Sequence, residues 1–246
     1  MDYKSYRQMI KADLWQDWKN MELDQRKGVP VPALEKSYAD RASLIDLVPP
    51  ADFTVGKMPL LETIQLRQSW RKYQPEPLSL EELSFLLWAT QGVKTILMDG
   101  YATRRTVPSG GSRHPFETYL AVQRVGGFAP GLYRYLAIEH KLLLLNEDPE
   151  IGAKISDACA DFALESAVTF IWTVVPYRTE WRYGPLSPKL IAQDSGHVCQ
   201  NLYLACTAIH AGTCAVGAYD QAQMDALLGV DGVDEFTIYC APVGKY

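Results

Sequence analysis

From Ser195 to Tyr219 the chain carries no Asp, Glu, Lys or Arg, its longest such stretch. A run of this kind has to be buried, so it fixes what the rest of the 246 residues must be built around. Val198, Leu202, Ala205 and Ile209 recur at helical spacing, which predicts a helix over about 195–211, begun by Asp194 or Ser195 as cap and stopped by Gly212. The helix is apolar nearly all round and therefore central. His197, Gln200, Asn201, Thr207 and His210 interrupt it too often for a membrane span.

Other elements follow from local signals. Ser79-Leu80-Glu81-Glu82 is a capping box, and the helix it opens is stopped by Gly92. Asp220 with Gln223 caps a helix to Leu228, and Asp148 with Pro149 starts one running to about Ala163. A short helix is expected over 60–66. Strands are expected over 118–122, 132–135, 142–145, 168–175 and 237–241, irregularly mixed with helices, which implies an α+β sheet rather than a regular βαβ repeat. Tyr6, Ile10, Leu14, Trp15 and Trp18 suggest an amphipathic helix over 2–26. The proline-rich stretch from Gly28 to Pro59 reads as an extended arm wrapping a surface, which could be a partner's. The expected organisation is a helix and arm over 1–58 and one domain over 59–246.

A net charge of −5 argues against a nucleic-acid partner held by phosphate neutralisation. Charged and aromatic residues stand at the amino terminus where a secretory signal needs an apolar core, so a cytoplasmic protein is expected. The five cysteines form no C-x-x-C pair and fit reduced, mostly buried thiols.

Three segments could carry chemistry. Arg67, Gln68, Ser69, Arg71 and Lys72 could cradle an anion or form a solvated basic turn. Pro108, Ser109, Gly110, Gly111 and Ser112 form a loop, flanked by Arg104, Arg105, Arg113 and His114, whose glycines admit a flat ligand close to the backbone; a plain surface turn is the alternative. The link 212–219, including Val216, Gly217 and Ala218, could lay amides against a ring or simply join two helices. The glycine motifs of nucleoside triphosphatases, dinucleotide-binding units and α/β hydrolases are absent. Cys206, His210 and Cys214 are split by Gly212, so no metal site is expected.

Five strings in order resemble the nitroreductase family, and within it the SagB-type dehydrogenase branch that includes azoline oxidases. They are R-x-S-x-R at 67–71, the run 77–83 with 87–92, the loop 104–111, Gly131-Leu132-Tyr133-Arg134-Tyr135, and Gly196-His197 with Gln200-Asn201-Leu202. The resemblance implies an interlocked homodimer with a central, mostly antiparallel five-stranded sheet and FMN at the subunit interface. It implies hydride transfer through flavin N5 by a ping-pong mechanism, with NAD(P)H as a donor, acting on a peptide azoline, a nitro compound or a quinone. FMN carries its own reactivity and asks the protein for a basic clamp and a smooth wall, which explains the scarcity of catalytic motifs. By resemblance Arg67, Gln68, Ser69, Arg71 and Lys245 hold the phosphate and ribityl chain. Pro108, Ser109, Gly110, Gly111 and Ser112, the last from the partner's loop, border the ring, and the amides of Val216, Gly217 and Ala218 face N5 and O4. The Lys-Tyr pair of azoline oxidases corresponds here to Arg182 and Tyr183. Arg does not give up its proton near neutral pH, so Arg182 suits an anionic substrate better than a general-base role, while Tyr183 and Trp181 could instead line a packed edge. The competing functional reading is a flavin-binding protein without an external redox substrate, either a flavin-degrading enzyme or a scaffold in a peptide-modifying complex.

Overall fold

The computed structural model describes residues 3–39, 43–163 and 165–246. In chain order the helices are α1 (Tyr3–Arg7), α2 (Leu60–Leu66), α3 (Leu80–Gln91), α4 (Ile151–Ala158), α5 (Tyr177–Tyr183), α6 (Ser187–Ala208) and α7 (Gln221–Leu228). The strands are β1 (Leu44–Asp46), β2 (Val93–Leu97), β3 (Ala102–Arg105), β4 (Phe116–Val122), β5 (Gly131–Leu136), β6 (Lys141–Glu147), β7 (Val168–Val174), β8 (Ala211–Thr213) and β9 (Phe236–Lys245). Seven of them form one antiparallel sheet in the order β1-β6-β5-β4-β7-β9-β8, and β2 with β3 makes a separate hairpin.

Alternation along the central strands divides the core. Leu120, Val122, Phe170 and Trp172 face α3 and α6. Tyr119, Ala121 and Ile171 face α4 and α7. Because helices cover both faces, β4 and β7 are buried along their whole length. The five expected strands are all present, and the sheet gains β1 and β8 at its edges, three residues each. Runs that short carry no period and are strands only because β6 and β9 offer free edges.

The α3 capping box forms as expected, with Ser79 Oγ accepting from the Glu82 amide and Glu82 returning to the Ser79 amide. Asp220 caps α7, but Gln223 turns its side chain to Asp157 instead of completing the box. Helix α4 is shorter than expected and begins after Glu150, whose amide donates to Asp148 Oδ1. The central helix begins at Ser187, well before Asp194, because Pro188 in the first turn presets the backbone and needs no amide partner. It ends at Ala208, with His210 at φ 53 turning the chain into β8. Gly212 is therefore a strand residue, and it is glycine for a different reason: a Cβ there would lie 2.6 Å from the Trp70 side chain.

The expected N-terminal helix is not continuous. After α1 come three separate 3₁₀ turns, Gln8–Ile10, Asp13–Gln16 and Trp18–Asn20. The Arg26 guanidinium takes the carbonyls of Trp18, Lys19 and Met21 at 2.6 to 3.0 Å, ending any helical ladder there. The arm crosses this chain's own sheet. Buried Arg178, Arg105 and Arg134 donate to the carbonyls of Ala33, Leu34, Lys36 and Ser37. Glu117 compensates Arg178 and also accepts the Lys36 amide.

Candidate functional site

The first cluster gathers where α2 ends. Arg67 follows α2 and lies over the ring of Tyr203 on α6, 5.4 Å from its centroid. Ser69 Oγ is 3.0 Å from Tyr203 Oη, which also accepts the Ala215 amide at 2.8 Å. The next residue is fixed to β8, since the Trp70 amide donates to the Thr213 carbonyl and its indole stacks on Tyr246 at 3.9 Å. Gln68, Ser69 and Arg71 are exposed, and among the described residues neither Arg67 nor Arg71 has a carboxylate within ion-pair distance. An anion at this edge meets two uncompensated cations and a hydroxyl.

Lys245 stands at the far end of the same segment, where the Gln74 amide reaches its carbonyl. Its ammonium is occupied by the Glu82 carboxylate and the Ile209 carbonyl. In the 212–219 link the Val216 amide is also occupied, exchanging hydrogen bonds with Cys240. Gly217 and Ala218 are exposed, and their amides have no partner among the described residues.

The second cluster lies on the first half of α6. Ser109 Oγ donates to Asp194 at 2.6 Å and the Gly110 amide donates to the same carboxylate, while Ser109 Oγ accepts the His114 amide. Asp194, expected as a helix cap, is a buried mid-helix residue that ties down the glycine loop. Burial holds its pKa above the ordinary carboxylate value against these hydrogen bonds. Gly111 has φ 61, and a Cβ there would sit 2.6 Å from Tyr183 Oη and 2.8 Å from the Arg182 side chain. The loop thus meets the Arg182–Tyr183 pair along bare backbone. Pro108 and Ser112 flank it, with the Ser112 amide donating to the Ser109 carbonyl.

The flanking charges play other parts than loop donors. Arg105 is buried against Gln91, Thr103 and the Leu34 carbonyl. Arg113 packs against the rings of Tyr101 and Trp181, which also meet edge to face, and donates to the carbonyls of Gly111 and Tyr101. His114 is pushed down to about 3 by burial and the nearby Arg105, so it is neutral across the physiological range. Trp181 is packing, its indole donating to the Val29 carbonyl.

Asp194 and Tyr203 are nine residues apart on one helix, about 13 Å along its axis and about half a turn out of phase. One chain therefore carries the basic cluster and the glycine loop on opposite sides of α6. Sequence reasoning missed Tyr203, whose signal was the single tyrosine of the central helix, and the covering role of Trp15 and Trp18, whose rings lie 5.9 and 6.4 Å from that of Tyr183.

The antiparallel sheet with its long central helix and these two clusters define an α+β protein of the nitroreductase type. The nitroreductase family model matches residues 64–245, and the chain belongs to that family. It is 32% identical over 197 residues to MJ1384 of Methanocaldococcus jannaschii, provisionally named a nitroreductase, covering 77% of this chain and 95% of that one. It is 31% identical over 141 residues to the trifolitoxin-processing protein TfxB of Rhizobium leguminosarum bv. trifolii, spanning 53% of this chain and only 38% of TfxB. A provisionally named nitroreductase of Ralstonia eutropha JMP134 superposes with a TM-score of 0.64 at 25% identity, over 88% of this chain and 98% of the other. The NADPH:FMN oxidoreductase of Vibrio harveyi shares the fold at a TM-score of 0.52 and 17% identity, over 76% of this chain and 68% of the other.

Proposed function

We propose that this protein is an FMN-dependent oxidoreductase of the SagB-type branch, working as a homodimer, with residues 59–246 as the flavin-binding domain and 1–58 as its arm. The observation that carries this reading is the pair of uncompensated arginines, Arg67 and Arg71, with Ser69 fixed on Tyr203, whose hydroxyl also holds the Ala215 amide just ahead of the open amides of Gly217 and Ala218. A phosphate suits the first group and a flat polar-edged ring the second. Gln68 stands beside the clamp. Lys245 and Val216 would serve by fixing β9 and the 212–219 link, since their polar groups are already bonded.

FMN, when bound, supplies hydride acceptance and donation at N5. The chain's residues bind and orient. Because the loop Pro108-Ser109-Gly110-Gly111-Ser112 lies on the opposite side of α6 from the clamp, a second copy would bring its loop to the first copy's clamp. The exposed apolar residues Leu60, Leu61, Ile64 and Leu66 of α2, beside a cavity of about 360 Å³ lined partly by Leu204 and Asn201, are the surface such a copy would cover. NAD(P)H is the proposed donor, and a nitro compound, a quinone or a peptide azoline the acceptor. TfxB is by its name a trifolitoxin-processing protein, which supports a processing role over a purely detoxifying one.

The test is direct. The purified protein should be yellow, added FMN should raise its melting temperature, and anaerobic NADH or NADPH should bleach the flavin. Arg67→Gln with Arg71→Gln should weaken FMN binding at least tenfold, given the strength of hydrogen bonds to charged groups. A colourless protein indifferent to FMN would refute the assignment; a yellow protein unbleached by either nucleotide would favour a non-reductase role.

A further inference from the structure

The N-terminal segment does more than decorate the fold. Trp15 and Trp18 close over Tyr183, Trp18 stacked on it and Trp15 edge-on, while the Arg182 guanidinium lies 5.6 Å from the same ring. Two donors against that ring, Trp18 Nε1 and Arg182 Nε, are buried without a hydrogen-bond partner. Arg182 has no carboxylate within ion-pair distance among the described residues. Buried donors left unpaired cost free energy, so a site that keeps them is arranged for an acceptor that arrives from outside. Next to this ring group, and sharing Trp15, is a cavity of about 230 Å³ between the N-terminal turns and the start of α6. Its walls are mostly apolar, and Lys189 stands in it without an acidic partner among the described residues. Gly111 brings the glycine loop against the Arg182–Tyr183 pair from the other side.

We propose that residues 8–20 form the substrate-side wall of the site, and that Trp15, Trp18, Tyr183 and Arg182 select a planar acceptor bearing a carboxylate. The rings hold the plane, and Arg182 with the Trp18 indole N–H takes the carboxylate. The inference deepens the oxidoreductase reading by naming the substrate class, and it rests on that reading for the direction of the chemistry.

The experiment compares 4-nitrobenzoate with 4-nitrobenzamide, which differ in charge but hardly in shape. Equilibrium dialysis against the full chain, with and without FMN, measures binding without turnover. The benzoate should bind about tenfold more tightly than the benzamide. Arg182→Gln should bring the ratio near one, Arg182→Lys should keep part of it, Trp15→Ala should weaken both probes alike, and Trp18→Phe, which keeps a ring but loses the N–H, should lower the ratio while leaving benzamide binding nearly unchanged. With FMN and NADPH present, the same preference should appear in KM for the nitro acceptor. Equal binding of the two probes by the unmodified chain, or a preference that survives Arg182→Gln in a protein of unchanged melting temperature, overturns the proposal. Absence of flavin binding would sink the oxidoreductase reading, while the flavin-free dialysis would still decide the recess.

Discussion

At Asp194 a carboxylate buried in mid-helix accepts the Ser109 hydroxyl and the Gly110 amide, so one residue of α6 sets the position of the glycine loop. Asp194→Ala strands both donors and is expected to cost roughly 1–3 kcal/mol, read as a lower melting temperature together with faster hydrogen exchange at the Gly110 amide. Its sequence position looked like a cap because Asp before an apolar run usually is one, and only the fold shows that the carboxylate is spent across the chain. Glu35 offers a pH test. Burial and the neighbouring Glu117 push it up from 4.5 to about 6. The folded chain then binds the proton more tightly than the unfolded one, so stability falls as pH rises from 4.5 through 6 and the loss stays in place above that. The folded protein should lose about 2 kcal/mol over this window relative to Glu35→Gln. Urea unfolding of both proteins across the range checks it, and parallel curves would refute it.

Among elements, α6 has the widest reach. Leu202 is fully buried between the sheet and α3, and Leu202→Ala is expected to lower the unfolding free energy by about 2–5 kcal/mol, measurable by chemical denaturation. The apolar run made this helix legible, as β-rich stretches did for the five long strands and the capping box did for α3. What escaped was set from outside the segment. β1 and β8 exist because neighbours had edges to fill, and α6 starts early because Pro188 favours a first turn that apolar spacing does not mark. The N-terminal segment had helical spacing, yet Arg26 drew its carbonyls and the ring of Tyr183 drew its tryptophans. In the site, the arginine-serine string and the glycine loop were visible in the sequence. Their separation around α6, and the commitment of Lys245 and Val216 to other bonds, were not, because both depend on register rather than residue type.

For the whole molecule, the exposed leucine and isoleucine face of α2 calls for a partner surface, and the proposed second copy would cover it. Sedimentation should give a dimer, and Ile64→Glu should shift it toward monomer with a matching loss of FMN affinity; a monomeric, flavin-loaded wild type would refute the arrangement. The arm meets the body differently. Arg105, Arg134 and Arg178 grip carbonyl oxygens at Ala33, Leu34, Lys36 and Ser37, which every amino acid supplies. The fastening therefore reads the main chain and is indifferent to most of the side chains it holds. Mutational drift at 33, 34 and 37 should leave the arm in place, whereas the three arginines are bound to their positions, so the arm can change its outward face while its course over the sheet stays the same.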